Sequence, residues 1–246
     1  MRVLLFPTLF LIISPTFADD VSDKLQAAMQ SDTRSATDMQ RDGNRKPIDT
    51  LEFFGLRDDM RVLELFPGGG WYTSLLAPAL RDNGELIVAL SATRVRDGLL
   101  QQPGFDKVTV DGANPAMSNE GPLGASNVAA FEFEADDVDM VLTFRNMHNL
   151  SSQGRSIVND AVFSALRPGG LYGIVDHSRR HMEPISQESR RRADVVQIMK
   201  EVLAAGFEFV DYSDLHYRAD DELRYEVGRR SVSGNTDRFT LLFRKP

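Results

Sequence analysis

The alternation of short apolar runs with helical segments most constrains the fold of this 246-residue chain. Each run stops at a cluster of polar residues, Gly or Pro, as strands of a buried sheet do. Strands separated by helices form parallel sheets, because the helical crossovers cover both faces. The sequence therefore predicts an α/β fold with a seven-stranded, mostly parallel sheet and helices on both faces. The predicted strands are residues 61–66, 85–90, 107–110, 138–144, 171–175, 207–210 and 238–244.

Helical periodicity and breakers place helices between these strands. A polar stretch joins the last two strands, and we expect it to be a hairpin loop. The charged residues within 32–45 and 190–192 are expected to form solvated helix faces. A single domain is predicted over residues 47–246, preceded by an N-terminal helical segment over residues 19–46. The predicted helices of the domain are residues 47–54, 71–80, 156–166 and 188–205.

The first eighteen residues have the layout of a secretory signal peptide. Arg2 is followed by an almost wholly apolar run over residues 3–13, and Ala18 supplies a small residue at the expected cleavage position. The run is shorter than the roughly 20 residues that a spanning helix needs. We therefore expect cleavage after Ala18 and a secreted or periplasmic protein with no stable membrane insertion. An uncleaved anchor and a buried first helix are the alternatives.

Composition excludes several classes of chemistry and partner. The chain has no cysteine, which removes disulfides, thiolate nucleophiles, Cys-ligated zinc and iron–sulfur clusters. Its formal net charge is −8, so no broad basic field is available to hold a nucleic-acid backbone. A small molecule is the expected partner, and composition does not define the oligomeric state.

A glycine-rich turn links the first predicted strand to the helix that follows. Gly68, Gly69 and Gly70 would let the backbone approach a ligand closely, and the helix N-terminus would offer free N–H groups. The dinucleotide pattern G-x-G-x-x-G requires glycine where Thr73 stands, and no phosphate-loop lysine is present. The turn therefore indicates a nucleotide-like ligand of another kind, with a tight ligand-free turn as the alternative.

Two motifs in the correct order resemble class I S-adenosylmethionine (SAM)-dependent methyltransferases. The first is Glu64 followed by the turn over residues 67–70, and the second is the Leu-Arg-Pro-Gly-Gly sequence over residues 166–170. More narrowly, the stretches over residues 34–47, 66–73 and 142–149 are similar to predicted bacterial methyltransferases with signal peptides. This resemblance spans roughly residues 31–246. The resemblance implies a Rossmann-like methyltransferase fold and SAM as cofactor. It implies that the cofactor is held by Glu64, Pro67, Gly68, Gly69, Gly70 and Ser91.

The chain departs from the family pattern at two positions beside this turn. Phe66 stands where the family usually has a small residue. Ser91 stands where an acid should hold the ribose hydroxyls, and a hydroxyl cannot act as a charged bidentate acceptor. For the acid near the adenine, Asp111, Glu132 and Glu134 are equivalent candidates.

Histidines follow the fourth, fifth and sixth predicted strands. Because ligands bind at the carboxyl ends of strands in open α/β sheets, these imidazoles are expected at one edge. His148 and His177 are the candidate catalytic residues, since neutral histidine accepts a proton near pH 7. His181 and His216 are expected to be surface or supporting residues. A metal site made by Asp176 and histidines is an alternative, although no local metal-binding spacing is present.

These patterns together predict SAM-dependent methyl transfer to a small acceptor. Arg145 and Asn146 are the candidate acceptor-binding residues, and the guanidinium would suit a carboxylate or another anion. The first alternative is an exported ligand-binding protein that keeps the methyltransferase fold without catalysis. The second is a nucleotide- or metal-dependent enzyme on the same scaffold.

Overall fold

The computed structural model describes residues 17–246, with side chains from residue 21. Seven strands form a mixed sheet in the order β3-β2-β1-β4-β5-β7-β6, and the short segment Ala193–Asp194 pairs in parallel with the end of β5. Strand β7 is antiparallel to both of its neighbours, and the other pairs are parallel. The strands are β1 (Arg61–Leu65), β2 (Glu85–Ala89), β3 (Thr109–Val110), β4 (Val138–Phe144), β5 (Leu166–Arg179), β6 (Glu208–Ser213) and β7 (Arg238–Arg244).

Helices cover both faces of this sheet, as the sequence predicts. One apolar layer packs Leu25, Leu51 and Leu76 against one face of the sheet. The other packs Val158 and Ile198 against the opposite face. The helices are α1 (Phe17–Met29), α2 (Ala36–Met39), α3 (Asp42–Arg45), α4 (Pro47–Phe53), α5 (Thr73–Leu80), α6 (Thr93–Asp97), α7 (Ser152–Ala165) and α8 (Val195–Ala204).

Strand β1 lies at the topological switch point of the sheet, where the order of successive strands reverses. It pairs with β2 on one side and β4 on the other, so that Glu64 lies level with Val88 and Leu142. The helices that follow β1 and β4 leave towards opposite faces, which opens a crevice at the carboxyl ends of these strands.

The predicted helix over residues 188–205 is wrong at its start. Helix α8 begins at Val195, after Asp194 accepts the N–H groups of Val196 and Gln197 as its N-cap. Arg192 is 2% exposed and forms a buried ion pair with Asp221, so it does not belong to a solvated helix face.

The charged stretch over residues 32–45 also differs from the prediction. Arg34 is buried against Met29 and pairs with Asp42, and Arg45 is 4% exposed. Of the other charged residues of the stretch, Asp32 and Arg41 are exposed, and Asp38 and Asp42 are half-buried. The predicted signal peptide lies almost entirely outside the described residues. Within residues 17–246, no helix has the length and apolar character to cross a bilayer.

Candidate functional site

Three neighbouring strands leave the sheet through left-handed backbone at the same edge. The residue after β1 is Phe66 with φ 53°, Leu90 and Ser91 after β2 have φ 58° and 54°, and Arg145 after β4 has φ 60°. Each non-glycine residue in this region costs about 1–3 kcal/mol, and such residues cluster at ligand sites. The turns place the following residues around the crevice beside β1.

The glycine turn forms the floor of a cavity of about 330 Å³ in this crevice. Gly68 and Gly70 have φ of +61° and +86°, which side chains other than glycine adopt only with strain. A Cβ on Gly70 would lie 2.6 Å from Leu99, so this glycine is required for packing. A Cβ on Gly68 would meet no atom within 4 Å, because it would project into the open cavity.

Glu64 lies under this turn and is 2% exposed. The Thr73 hydroxyl at the start of α5 donates to its Oε2 over 2.6 Å. Burial raises the pKa of Glu64 from 4.5 to about 7, against the opposing effects of the Thr73 hydrogen bond and the Arg45 charge. A carboxyl group that lines a cavity and titrates near neutrality suits contact with a cationic ligand group.

The N-terminal helices form one wall of the cavity, which the sequence did not predict. The Arg45 guanidinium stacks on Trp71 at 4.2 Å from the ring centroid, and the Trp71 indole donates to the Asp38 carbonyl over 3.0 Å. Tyr72 in turn stacks on Phe144 with a centroid distance of 3.5 Å. These contacts join the segment over residues 19–46 to the start of α5 and the end of β4.

Asn146 and Ser91 lie along the same crevice. The Asn146 side chain donates to the carbonyls of Phe66 and Phe144, over 3.2 and 2.9 Å, so it ties the ends of β1 and β4 together. It lines the glycine-turn cavity and an adjoining cavity of about 220 Å³ that reaches Ser91. Asn146 is therefore placed beside the predicted cofactor region, and it does not line the cavity that contains both histidines.

Asp111 stabilises the loop that follows β3 through hydrogen bonds to its backbone. Its carboxylate accepts the N–H groups of Ala113 and Ala135 over 2.9 and 2.8 Å. Neither Asp111 nor Glu132 or Glu134 lines the crevice cavities described above. A further cavity on the other side of Ser91 is lined by Asp97, whose carboxylate is paired with Arg96.

A histidine–carboxylate pair joins the segment after β4 to β5. Because β5 extends to Arg179, Asp176 and His177 lie within this strand and do not follow it as the sequence predicted. His148 Nδ1 is 2.5 Å from Asp176 Oδ1, and the N–H groups of His148 and His177 donate to the same carboxylate over 2.9 and 2.7 Å. Because both carboxylate oxygens accept backbone N–H groups, Nδ1 is assigned as a proton donor to Asp176. Nε2 of His148 then holds a free lone pair, as a general base requires.

The other histidines have distinct environments. His177 Nδ1 lies 2.9 Å from the Thr236 hydroxyl, and its ring centroid is 5.7 Å from that of His148. Burial, followed by the Arg238 charge, lowers the pKa of His177 well below 6.5, so it stays neutral at pH 7. His216 is buried between Thr240 and the Arg45 carbonyl, and burial lowers its pKa to about 4. His181 is half-exposed beside Asp194.

His148 and His177 line a second cavity of about 490 Å³ that adjoins the first. Arg45 and Arg145 line both cavities, and Arg238 lines the second. Sequence reasoning assigned no site role to Arg45 or Arg238. The charge alternation around Arg45 favoured a solvated helix face, and Arg238 comes from the opposite end of the chain. Sequence reasoning named Asp176 only as a metal ligand, although its position after a predicted strand was a signal. Among the described residues, no group of three or more His, Asp or Glu side chains is arranged to hold a metal ion.

The strand order and the glycine turn define a fold that solved structures share. The chain has a TM-score of 0.58 to a SAM-dependent methyltransferase from Aquifex aeolicus, with 15% identity over 92% of this chain and 98% of that one. It has a TM-score of 0.53 to the glycopeptide N-methyltransferase MtfA complexed with SAM, at 15% identity over 81% of this chain and 87% of that one. The fold is thus that of the class I SAM-dependent methyltransferases.

Sequence comparison gives curated relatives at about a quarter identity, and no protein-family model matches the chain. The ubiquinone/menaquinone biosynthesis C-methyltransferase UbiE of Proteus mirabilis is 25% identical over 138 residues, which are 56% of this chain and 51% of that protein. UbiE of Pasteurella multocida is 24% identical over 143 residues, which are 56% of this chain and 47% of that protein. The chain spans about half the length of the curated relatives it matches.

The same fold occurs in the [4+2]-cyclase SpnF, with a TM-score of 0.58 and 16% identity over 92% of this chain and 93% of that one. A shared fold therefore does not define the reaction, which must be argued from the site.

Proposed function

We propose that this chain is a SAM-dependent methyltransferase that acts on a small, anionic acceptor. The observation that supports this most directly is the junction of two cavities at Arg45 and Arg145. One cavity contains the glycine turn and Glu64, and the other contains His148 with its Asp176 partner. A cofactor site thus adjoins a site with a base.

The first cavity contains residues suited to the methionine portion of SAM. Gly68 leaves open space where any other side chain would protrude, and Glu64 is placed to accept from the cationic amino group of the methionine portion. When bound, SAM supplies a methyl group on a positively charged sulfur. Ser91 would contact the ribose hydroxyls through a single hydroxyl, so this contact is weaker than a carboxylate would give.

His148 is the residue proposed to receive the acceptor's proton at Nε2. Asp176 orients the imidazole through Nδ1 and stabilises its charged form after proton uptake. His177 is proposed to contact the acceptor as a neutral imidazole, since Thr236 fixes its ring. Arg145 lies beside both cavities and is proposed to orient the acceptor towards the cofactor.

Isothermal titration with SAM and S-adenosylhomocysteine tests the cofactor assignment. Gly68→Ala places a methyl group in the cavity at φ +61°, and Gly104→Ala places one in open space at φ +95° as the matched control. Both substitutions carry a backbone penalty of about 1–2 kcal/mol. We expect SAM affinity to fall at least tenfold in the Gly68 variant alone. No heat from the wild-type protein at millimolar SAM would refute the proposal.

The second candidate function is ligand binding by a protein that keeps the methyltransferase fold without catalysis. Ser91, which stands in place of an acid, favours this candidate. An exported binding protein would bind a small molecule with no methyl product formed. Incubation with labelled SAM and small-molecule extracts distinguishes the two candidates, because only an enzyme transfers the label. If label transfer depends on His148 while SAM binding does not, the enzyme assignment is supported.

We also propose export with cleavage after Ala18, on the basis of the charge and apolar pattern of the first eighteen residues. Cell fractionation followed by N-terminal sequencing of the mature chain tests this proposal. The expected N-terminus is Asp19 in the exported fraction, and an intact Met1 in the cytosol would contradict it.

A further inference from the structure

Three separate parts of the chain bring arginine to the cavity beside His148. Arg41 and Arg45 come from the N-terminal helices, Arg145 follows β4, and Arg191 and Arg238 come from the C-terminal part of the chain. Among the described residues that line this cavity, none is Asp or Glu. Arg41 pairs with Asp38 and Arg191 pairs with Glu226, so the uncompensated positive charge of the cavity wall comes from Arg45, Arg145 and Arg238.

Three of these guanidinium groups have no carboxylate partner. Among the side chains of residues 21–246, no Asp or Glu oxygen lies within 4.0 Å of a side-chain nitrogen of Arg45, Arg145 or Arg238. The Nε atoms of Arg145 and Arg238 are buried and have no hydrogen-bond partner. Arg238 is only 8% exposed, and the one hydrogen bond of its guanidinium among the described residues is from Nη1 to the Asn44 carbonyl over 3.0 Å.

Other buried arginines of this protein are paired. Arg192 donates to both oxygens of Asp221, and Arg155 donates to both oxygens of Glu201. A buried charge is normally paired, because its desolvation is otherwise uncompensated. Arg45, Arg145 and Arg238 differ from these arginines because they have no carboxylate partner. A missing anionic ligand is therefore a better explanation than ordinary packing.

The unpaired arginines also repel one another. Burial lowers the pKa of Arg45 to about 9, and Arg145 is the next cause of the lowering. Burial and then Arg145 likewise lower the pKa of Arg238 to about 10. Asp176 is the carboxylate whose field opposes this repulsion, and it is already bonded to His148. An anion in the cavity would supply the compensation that the chain does not.

We propose that this cavity binds a doubly charged oxyanion, held by Arg45, Arg145 and Arg238. One negative charge would leave two of the three guanidinium groups uncompensated, so a dianion matches the wall better than a monoanion. The cavity has a volume of about 490 Å³, which accommodates a small molecule that bears a doubly charged oxyanion group. That the anion belongs to the methyl acceptor rests on the proposed function, whereas anion binding itself does not.

Titration calorimetry without SAM tests the proposal with inorganic phosphate, succinate and acetate at constant ionic strength. Phosphate represents a compact dianion, succinate represents two separated carboxylates, and acetate is the monoanion control. We expect saturable binding of phosphate or succinate at least tenfold tighter than that of acetate, and the tighter of the two identifies the acceptor's anionic group. No saturable binding of either dianion at millimolar concentration, or equal affinity for acetate, overturns the proposal.

Three variants assign the binding to this cavity. Arg238→Gln and the exposed Arg41→Gln remove charge from the wall, and Arg244→Gln removes an exposed charge that pairs with Glu208. We expect the dianion's affinity to fall at least tenfold in the first, several-fold in the second and not in the third. Equal affinities in all three overturn the assignment, and Arg41→Gln keeps the test decisive if Arg238→Gln does not fold.

The two proposals fail in distinguishable ways. If the protein binds SAM but no dianion, the anion-site proposal is refuted and the cofactor assignment stands. If the protein binds a dianion but no SAM, the methyltransferase proposal is refuted, and the protein is an anion-binding protein of the same fold.

Discussion

Replacing Glu64 by Gln should make the unliganded protein more stable at pH 8. The folded pKa of Glu64 is about 7, whereas its ordinary value is 4.5. Because the folded value is the higher one, the ionised carboxylate destabilises the folded state. The cost is full above about pH 7 and declines as the pH falls towards 4.5. At about 1.4 kcal/mol per pKa unit, the full cost is about 3 kcal/mol.

Glutamine removes this cost without removing the local hydrogen bond. Its side-chain oxygen can still accept from Thr73, which donates to Glu64 Oε2 over 2.6 Å. The expected gain is about 3 kcal/mol at pH 8 and about 1 kcal/mol at pH 5.5. For a domain of this size, about 2–4 °C per kcal/mol raises Tm at pH 8 by roughly 6–12 °C.

Urea unfolding at both pH values measures the effect, with Glu222→Gln as the control at an exposed glutamate. The same variant should bind SAM at least tenfold more weakly, because the charge that destabilises the free protein is the one proposed to hold the cofactor. A Glu64→Gln protein that is less stable than wild type at pH 8, or equally shifted at both pH values, would refute this account of Glu64.

Three further predictions concern buried charges. Asp176→Asn should lower methyl transfer by about 10²–10⁴-fold with SAM affinity held within twofold, because His148 loses its orienting acceptor; single-turnover assays and SAM titration check this. Asp221→Asn should cost about 3–5 kcal/mol in urea unfolding by leaving Arg192 buried and unpaired, and a loss below about 1 kcal/mol would contradict it. Dianion affinity should decline as the pH rises through about 9, where Arg45 begins to lose its charge, and calorimetry from pH 7 to 10 would show it.

The fold was predictable because its core signals are local. Residues 138–144 and 238–244 have the predicted strand boundaries, since mainly apolar runs there lie between polar breaks. The error at residues 188–192 has a tertiary cause. No Gly or Pro interrupts this stretch, so the sequence offers no break before α8. The ion pair of Arg192 with Asp221 nevertheless holds it as a turn, and α8 begins only after its Asp194 cap. No local pattern shows that pairing.

The site was predictable only where it follows a strand. The glycine turn and His148 each come directly after an apolar run, so the carboxyl-edge rule indicated their position. Arg45 and Arg238 lie far apart in the sequence, and the charge alternation around Arg45 is typical of a solvated helix. Only the fold shows that Arg45 stacks on Trp71 and lines both cavities.

The N-terminal segment is therefore part of the site, although it precedes the predicted domain. Helix α1 contributes Val21, Leu25 and Ala28 to the core, and all three follow the predicted cleavage position. His216, from the opposite end of the chain, donates to the Arg45 carbonyl. Arg45 is therefore held by its backbone through this hydrogen bond and by its guanidinium, which stacks on Trp71. Cleavage after Ala18 would remove none of these contacts. Export and an intact cavity wall are thus compatible on the same chain.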